Sequence, residues 1–283
     1  MPHYTLHGMV ILHSNALSDL RIAAEAGFQG LELHTEKLWR YLRAGGTAAD
    51  YKEAARRWGI SITAIDIIGD VEWTGREAQT RLRKQAHELC RFAQEVGCPL
   101  IQLNAFCALD GLSLEQNLEI TAQNISQLCA IGRDYGVGFQ YEGAAWAPIH
   151  SLRDCVRLVD MANAPNLGLV IDFWHLWASR GATPQELATL DLRYIFGVHV
   201  CDGLRPPLNP EGKIAAWEDE STYRKFLPGE GDLPVTDWIN AVKNTGYTGS
   251  YSGEILNPLL WEQDHLDLAR KMKLALSSFW ETS

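Results

Sequence analysis

The chain has 283 residues, 46% of them hydrophobic and 21% charged, the usual mix for a soluble globular protein with a large core. One barrel-sized domain over residues 1–283 is the first expectation at this length. A net charge of -10 without a basic run excludes the positive surface that nucleic acid needs, and no apolar run approaches the roughly 20 residues of a membrane helix.

The N-terminal MPHYTLHGMV has no basic segment followed by a long apolar stretch, so no secretory signal is expected. Six cysteines (Cys90, Cys98, Cys107, Cys129, Cys155 and Cys201) lack CxxC spacing and read as free thiols in a reducing, cytoplasmic compartment.

Short apolar runs alternate with helical patterns along the whole chain, which predicts parallel strands covered by helices. The first strand is expected at 6–13 and a helix at 18–26. GLELHT at 30–35 is the second strand, followed by a helix over 48–58 that stops at Gly59. Strand three is 60–68, and its helix runs about 75–96 to a stop at Gly97. Strand four is 99–105, with a helix over 113–135 closed by Gly136. Strand five is 137–143 with a helix at 151–163, and strand six is 167–175 with a short helix from about Thr183. Strand seven is 194–202. The Pro/Gly-rich segment 203–233 that follows is long enough to be a lid or binding loop. A helix at 235–244, strand eight at 250–256 and a last helix at 263–279 complete the chain. Eight strand–helix units without a linker predict a closed (β/α)8 TIM barrel, an α/β fold. A doubly wound open sheet, which usually has fewer strands, is the runner-up.

Catalytic groups of such barrels sit where strands end. Polar residues fall there repeatedly: Glu32 and His34, Asp66, Asn104, Glu142, Asp172 and His175, His199, and Glu254. Each taken singly is explained as well by an ion pair or hydrogen bond. Glu142, Asp172 and Glu254 together bring three carboxylates to one rim with His199 beside them, and these would repel strongly unless a cation neutralised them. Carboxylate oxygens with one imidazole nitrogen suit one divalent ion, with Mn2+ leading and Mg2+, Co2+ or Zn2+ as alternatives.

QYEG at 140–143, IDFWH at 171–175, HVCDGLR at 199–205 and SGEIL at 252–256 resemble the xylose isomerase-like barrels. That superfamily includes ketose 3-epimerases, inosose isomerase and dehydratase, 3-dehydroshikimate dehydratase and endonuclease IV. The resemblance covers nearly the whole chain in strand order, and its specific part is the second half. It implies Glu142, Asp172, His199 and Glu254 as metal ligands. The family's D-x-x-H and H-x5-R spacings are matched by Asp172 and His175 and by His199 and Arg205, and the resemblance implies that His175 and Arg205 hold substrate oxygens. The ketose 3-epimerases carry a second Glu six residues after the strand-five ligand, where this chain has Pro148. The acidic net charge sets endonuclease IV apart.

The resemblance implies an isomerase or epimerase acting next to a carbonyl through an enediolate. Glu142 and Glu254 would be the acid–base pair, and a small carbohydrate or polyol the partner. The alternative is a lyase: a dehydratase of a cyclic keto-polyol, with His34 or His13 supplying the acid. A metal-holding binding module is the reading from another class. Homo-oligomerisation is left open. Lys37, Arg40, Arg43, Lys213 and Arg224 read as solvated surface charge rather than as a phosphate site. Trp39, Trp73, Trp146, Trp174, Trp177, Trp217 and Trp261 all follow strands, where some would line the pocket.

Overall fold

The computed structural model describes residues 2–208, 214 and 220–281. Eight parallel strands close into one barrel in sequence order. They are β1 (His3–His7), β2 (Gly30–His34), β3 (Ser61–Ile68), β4 (Leu100–Ala105), β5 (Gly138–Gly143), β6 (Leu167–Asp172), β7 (Ile195–Val200) and β8 (Ser250–Gly253).

Helices cover the outside. α1 (Ala16–Glu25) follows β1, and α2 (Thr35–Arg43) and α3 (Ala48–Trp58) follow β2. α4 (Arg76–Val96), α5 (Leu114–Tyr135) and α6 (Leu152–Ala162) follow β3, β4 and β5. α7 (Phe173–Ala178) and α8 (Pro184–Leu187) follow β6, and α9 (Glu220–Tyr223) and α10 (Val235–Asn244) follow β7. α11 (Pro258–Trp261) and α12 (His265–Glu281) end the chain. The TIM barrel expected from the alternating pattern is therefore present. No helix among the described residues is long and apolar enough to cross a membrane.

Local chemistry explains the boundaries. Gly97 and Gly136 end α4 and α5 in left-handed conformations (φ 82° and 69°), which glycine adopts without a Cβ penalty. Ser113 caps α5 in a reciprocal capping box with Gln116.

Three expected strands end three or more residues early. β1 stops at His7 rather than reaching residue 13, because the His7 side chain accepts from Met9 N and turns the chain into a 3-10 segment, Gly8–Ile11. β6 stops at Asp172 rather than 175, because the Asp172 carboxylate caps α7. β8 stops at Gly253 rather than 256. α2 was not anticipated and begins directly after the GLELH strand.

Lys37, expected on the surface, is fully buried in α2. Its ammonium donates to Asp19 (2.8 Å), to the carbonyls of Gly8 (2.9 Å) and Ile11 (2.8 Å), and to Ser14 (3.1 Å). It thereby ties the β1–α1 connection to α2. Replacing Lys37 by Met leaves Asp19 buried and unpaired. The expected cost is about 3–5 kcal/mol in urea unfolding, largely recovered when Asp19→Leu is added, since no charge then stays buried. A Lys37→Met protein as stable as the wild type would show that the pair contributes nothing.

Candidate metal centre

Strand alternation sends residues i and i+2 to the same side. Gln102 and Asn104 on β4 stand in register with Gln140 and Glu142 on β5, while Asp172 on β6 pairs with His199 on β7. Glu254 follows β8, its N–H bonded to Val200 O at 3.2 Å. The four expected ligands are thus brought together at the C-terminal mouth. One donor atom from each of Glu142, Asp172, His199 and Glu254 lies within 4.8 Å of the others, and all four residues are buried.

His199 is the hub. Its Nδ1 lies 3.0 Å from both Glu142 Oε1 and Glu254 Oε2 and 3.7 Å from Asp172 Oδ2. Its Nε2 meets Glu32 Oε2 at 3.1 Å. Glu32 is held in turn by Gln140 Nε2 (3.1 Å), so a carboxylate behind the imidazole fixes its orientation, as at many metal centres. Glu142 Oε2 accepts from Gln102 (3.1 Å) and Asn104 (2.9 Å). Asp172 Oδ1 accepts the His175 N–H at 2.6 Å, which leaves its other oxygen to the cluster.

Electrostatics follow from this concentration of charge. Burial opposes ionisation of Glu142, but the hydrogen bond from His199 and the charges of His175 and His199 outweigh it, holding the carboxyl down at about 2. Burial is likewise outweighed at Glu254, chiefly by the Arg224 guanidinium, with His199 adding to it, and the group lies well below the usual carboxylate range. Burial disfavours the imidazolium of His199, yet Glu32 and Glu254 override it and raise the group well above its ordinary value. The donor set fits a divalent cation: hard carboxylate oxygens and one imidazole converge on one point, and a proton on His199 holds the place of a positive charge.

Apart from Glu32 behind His199, the groups on the other half of the mouth are uncharged. His7 is fully buried. Its Nδ1 accepts from Met9 N (3.1 Å), which leaves the proton on Nε2, 3.7 Å from Asp66 Oδ2. Burial, with Glu254, Glu32 and Glu142 nearby, pushes the Asp66 carboxyl well above its ordinary value. Burial lowers His34 to about 4. His13 lies outside this group: it is half exposed and faces Glu262 at 3.4 Å.

His175 reaches the cluster, its Nε2 4.0 Å from Glu142 Oε2. Arg205 does not. It is exposed, with its guanidinium 4.2 Å above the Trp177 ring. Arg224, read from sequence as surface charge, is instead buried in the centre. It contacts Asp172 and lies 2.5 Å from Glu254 Oε2 and 3.2 Å from His175 Nε2. Its neighbours are tied to residues that follow β7 and β8: Tyr223 O accepts the Leu204 N–H, and Lys225 O accepts from Asn257 Nδ2. Sequence periodicity gives no register inside so long a connection; the one available signal was the charge that three carboxylates leave unbalanced beside a divalent ion. Lys213 and Trp217 lie outside the described residues. Among the other aromatics, Trp146 and Trp174 flank His175 with ring centroids at 5.2 and 5.4 Å.

The chain belongs to the xylose isomerase-like TIM barrels, whose family model matches residues 20–273. It is 27% identical over 239 residues to a 3-dehydroshikimate dehydratase of Pseudomonas aeruginosa, covering 84% of this chain and 36% of that protein. The chain thus spans about a third of the length of that relative. It is 23% identical over 251 residues to an inosose isomerase of Bacillus velezensis, covering 87% and 85% of the two chains. Among solved structures, the IolI protein with a bound zinc atom superposes with a TM-score of 0.87 at 18% identity, over 100% of this chain and 99% of that one.

Two outcomes are expected of metal binding. A cation at Nδ1 must displace the proton that the raised basicity of His199 retains. Affinity should therefore rise by about tenfold per pH unit below that group's titration, with about one proton released per ion. Calorimetry in buffers of different ionisation enthalpy reads the proton count, and a pH-independent affinity would contradict it. Glu32→Gln removes the carboxylate behind His199 while keeping its shape. It should lower metal affinity about 10–100-fold, read by competition with a chelator.

Proposed function

We propose that the protein is a divalent-metal-dependent isomerase or epimerase that removes a proton next to the carbonyl of a ketose- or polyol-like substrate. The observation that carries this reading is the convergence of Glu142, Asp172, His199 and Glu254 at the barrel mouth. Its similarity to an inosose isomerase over 87% of this chain and 85% of that one supports it. A bound divalent ion, Mn2+ in the first instance, would supply polarisation of the carbonyl oxygen and so acidify the neighbouring C–H.

The chain's own groups do the rest. Glu142 and Glu254 are both held ionised, the form a base requires. Glu254 is the better placed of the two. Its Oε2 is engaged by His199 and Arg224, while Oε1 faces His7 Nδ1 at 4.0 Å without a hydrogen bond among the described residues. Glu142 has both oxygens bonded and holds position more than it moves protons. His175 orients a substrate oxygen. Arg205, stacked on Trp177, would act at the outer wall of the mouth if it meets substrate at all.

A second reading has its own support. Asp66 is kept protonated beside His7, which offers a neutral acid across the mouth from Glu254. Such an acid could protonate a leaving hydroxyl, giving a dehydratase, the activity named for the Pseudomonas relative.

The two readings diverge after the first proton is removed. Metal-loaded protein should interconvert two keto-polyols reversibly, incorporate deuterium from D2O and produce no new ultraviolet absorbance. A conjugated, absorbing product would select the dehydratase. Turnover of no ketose, inosose or dehydroshikimate with metal in place would sink both. Glu254→Gln should lower kcat by about 10²–10⁴-fold in either case.

A further inference from the structure

Arg224 meets the very carboxylate oxygens that face the ligand nitrogen. Asp172 Oδ2 and Glu254 Oε2 are turned to His199 Nδ1, at 3.7 and 3.0 Å. The same two oxygens accept from Arg224 Nη2, Glu254 Oε2 at 2.5 Å. A carboxylate oxygen has two lone pairs, so it can hold a guanidinium N–H and a cation together. Any ion bound by these oxygens would have a permanent positive charge just across them, since arginine stays ionised when buried.

The other donors to these carboxylates are different in kind. Glu142 Oε2 accepts from the neutral amides of Gln102 (3.1 Å) and Asn104 (2.9 Å), and Asp172 Oδ1 accepts the His175 N–H (2.6 Å). Among the described residues, Arg224 is the one arginine or lysine in contact with Glu142, Asp172 or Glu254. It is also fixed in place. The residue is 2% exposed, and its carbonyl accepts the N–H of Leu256, two residues beyond Glu254, at 3.2 Å. Phe226 bridges to Asp202, whose carboxylate accepts four backbone N–H groups, from Gly203, Gly229, Gly231 and Leu233. A Cβ at Gly231 would stand 2.4 Å from Asp202 Oδ1, so this clamp requires glycine there.

A fixed neighbouring charge alters the binding of an ion in proportion to the ion's own charge. Glu142, Asp172 and Glu254 bring three negative charges and the guanidinium one positive, which leaves two negative, the amount that a divalent ion balances. With the guanidinium removed, a trivalent ion gains more than a divalent one. A proton displaced from His199 is common to both ions and cancels in their comparison. We propose that Arg224 sets the charge of the ion that this centre accepts, holding its preference at divalent ions and against trivalent ones. This rests on the divalent-metal reading given above.

The test compares Mn2+, read as loss of its free-ion electron paramagnetic resonance signal, with Tb3+, read as tryptophan-sensitised luminescence that Mn2+ displaces. Trp174 suits this, its ring 5.8 Å from the Arg224 guanidinium. Titrations are made on wild type, Arg224→Met, Arg224→Gln and Arg224→Lys. In the two neutral variants the ratio of Tb3+ to Mn2+ affinity should rise by about 10–100-fold, the effect of one unit charge at this range in a partly buried site. Arg224→Gln keeps a donor for the carboxylates, so it carries the test if the Met variant does not fold. Arg224→Lys keeps the charge and should keep the wild-type ratio. An unchanged ratio in the neutral variants would overturn the proposal, whether or not both affinities fall together. So would the same rise in Arg224→Lys, which would make shape rather than charge the cause. Neither titration needs substrate. Wild type that takes up Mn2+ but turns over no carbonyl compound would sink the functional reading alone, and wild type that binds neither ion would sink both.

Discussion

Like charges crowded into a closed space govern this barrel mouth. Glu142, Asp172 and Glu254 present carboxylate oxygens within 4.8 Å of one another and of His199, and all are buried. At an effective dielectric near 20, two like charges about 4 Å apart repel by roughly 4 kcal/mol. Three such pairs approach the whole stability of an ordinary domain, about 5–15 kcal/mol. The fold tolerates the arrangement only with positive charge at its centre. The His199 imidazolium supplies one such charge; a divalent ion would supply more and would compete with the proton at Nδ1, so that its binding would release that proton.

The surroundings are arranged around this demand. Behind the cluster lies a layer of amides, Gln102, Asn104 and Gln140, which donate to Glu142 and Glu32 without adding charge. Amides suit this place because they fix the carboxylates without competing for the cation. In front, three carboxylates with a divalent ion leave one negative charge, which the Arg224 guanidinium cancels. An arginine does this better than a lysine, because its planar fork spans Asp172 and Glu254 at once and stays ionised when buried.

The barrel and the four-residue cluster were legible in the sequence because both are regular. Strand–helix alternation has a period, and a polar residue at the end of an apolar strand stands out against its neighbours. The misplaced ends of β1 and β6 share one cause. His7 and Asp172 each end a strand by bonding a backbone N–H two or three residues on, a local capping that apolar patterning does not register. Lys37 and Arg224 were hidden for another reason. A long cation with a buried head looks like any surface cation until its partners are known, and those partners, Asp19 at 18 residues' separation and Asp172 at 52, are distant along the chain. Glu32 stood out as a polar strand residue, but its place behind His199, 167 positions away, follows only from barrel closure.

The division of the mouth bears on the class of substrate. Charge is concentrated at the ends of β5 to β8, where the reacting carbons would lie. Across from it, β1 to β3 present His7, His34 and Asp66, which burial keeps uncharged: the two imidazoles are pushed down and the carboxyl up. Lys37, near the same rim, is consumed by Asp19 and two carbonyls, and the guanidinium of exposed Arg40 bonds the carbonyl of Ser14. Among the described residues, a substrate carboxylate or phosphate on that side would meet neutral donors and acceptors instead of a free cation, and would lose its hydration for little return. Hydroxyl groups, which donate and accept without charge, match His7, His34 and protonated Asp66 well. This balance would favour a neutral keto-polyol over a carboxylate-bearing ring such as dehydroshikimate, for isomerisation and dehydration alike.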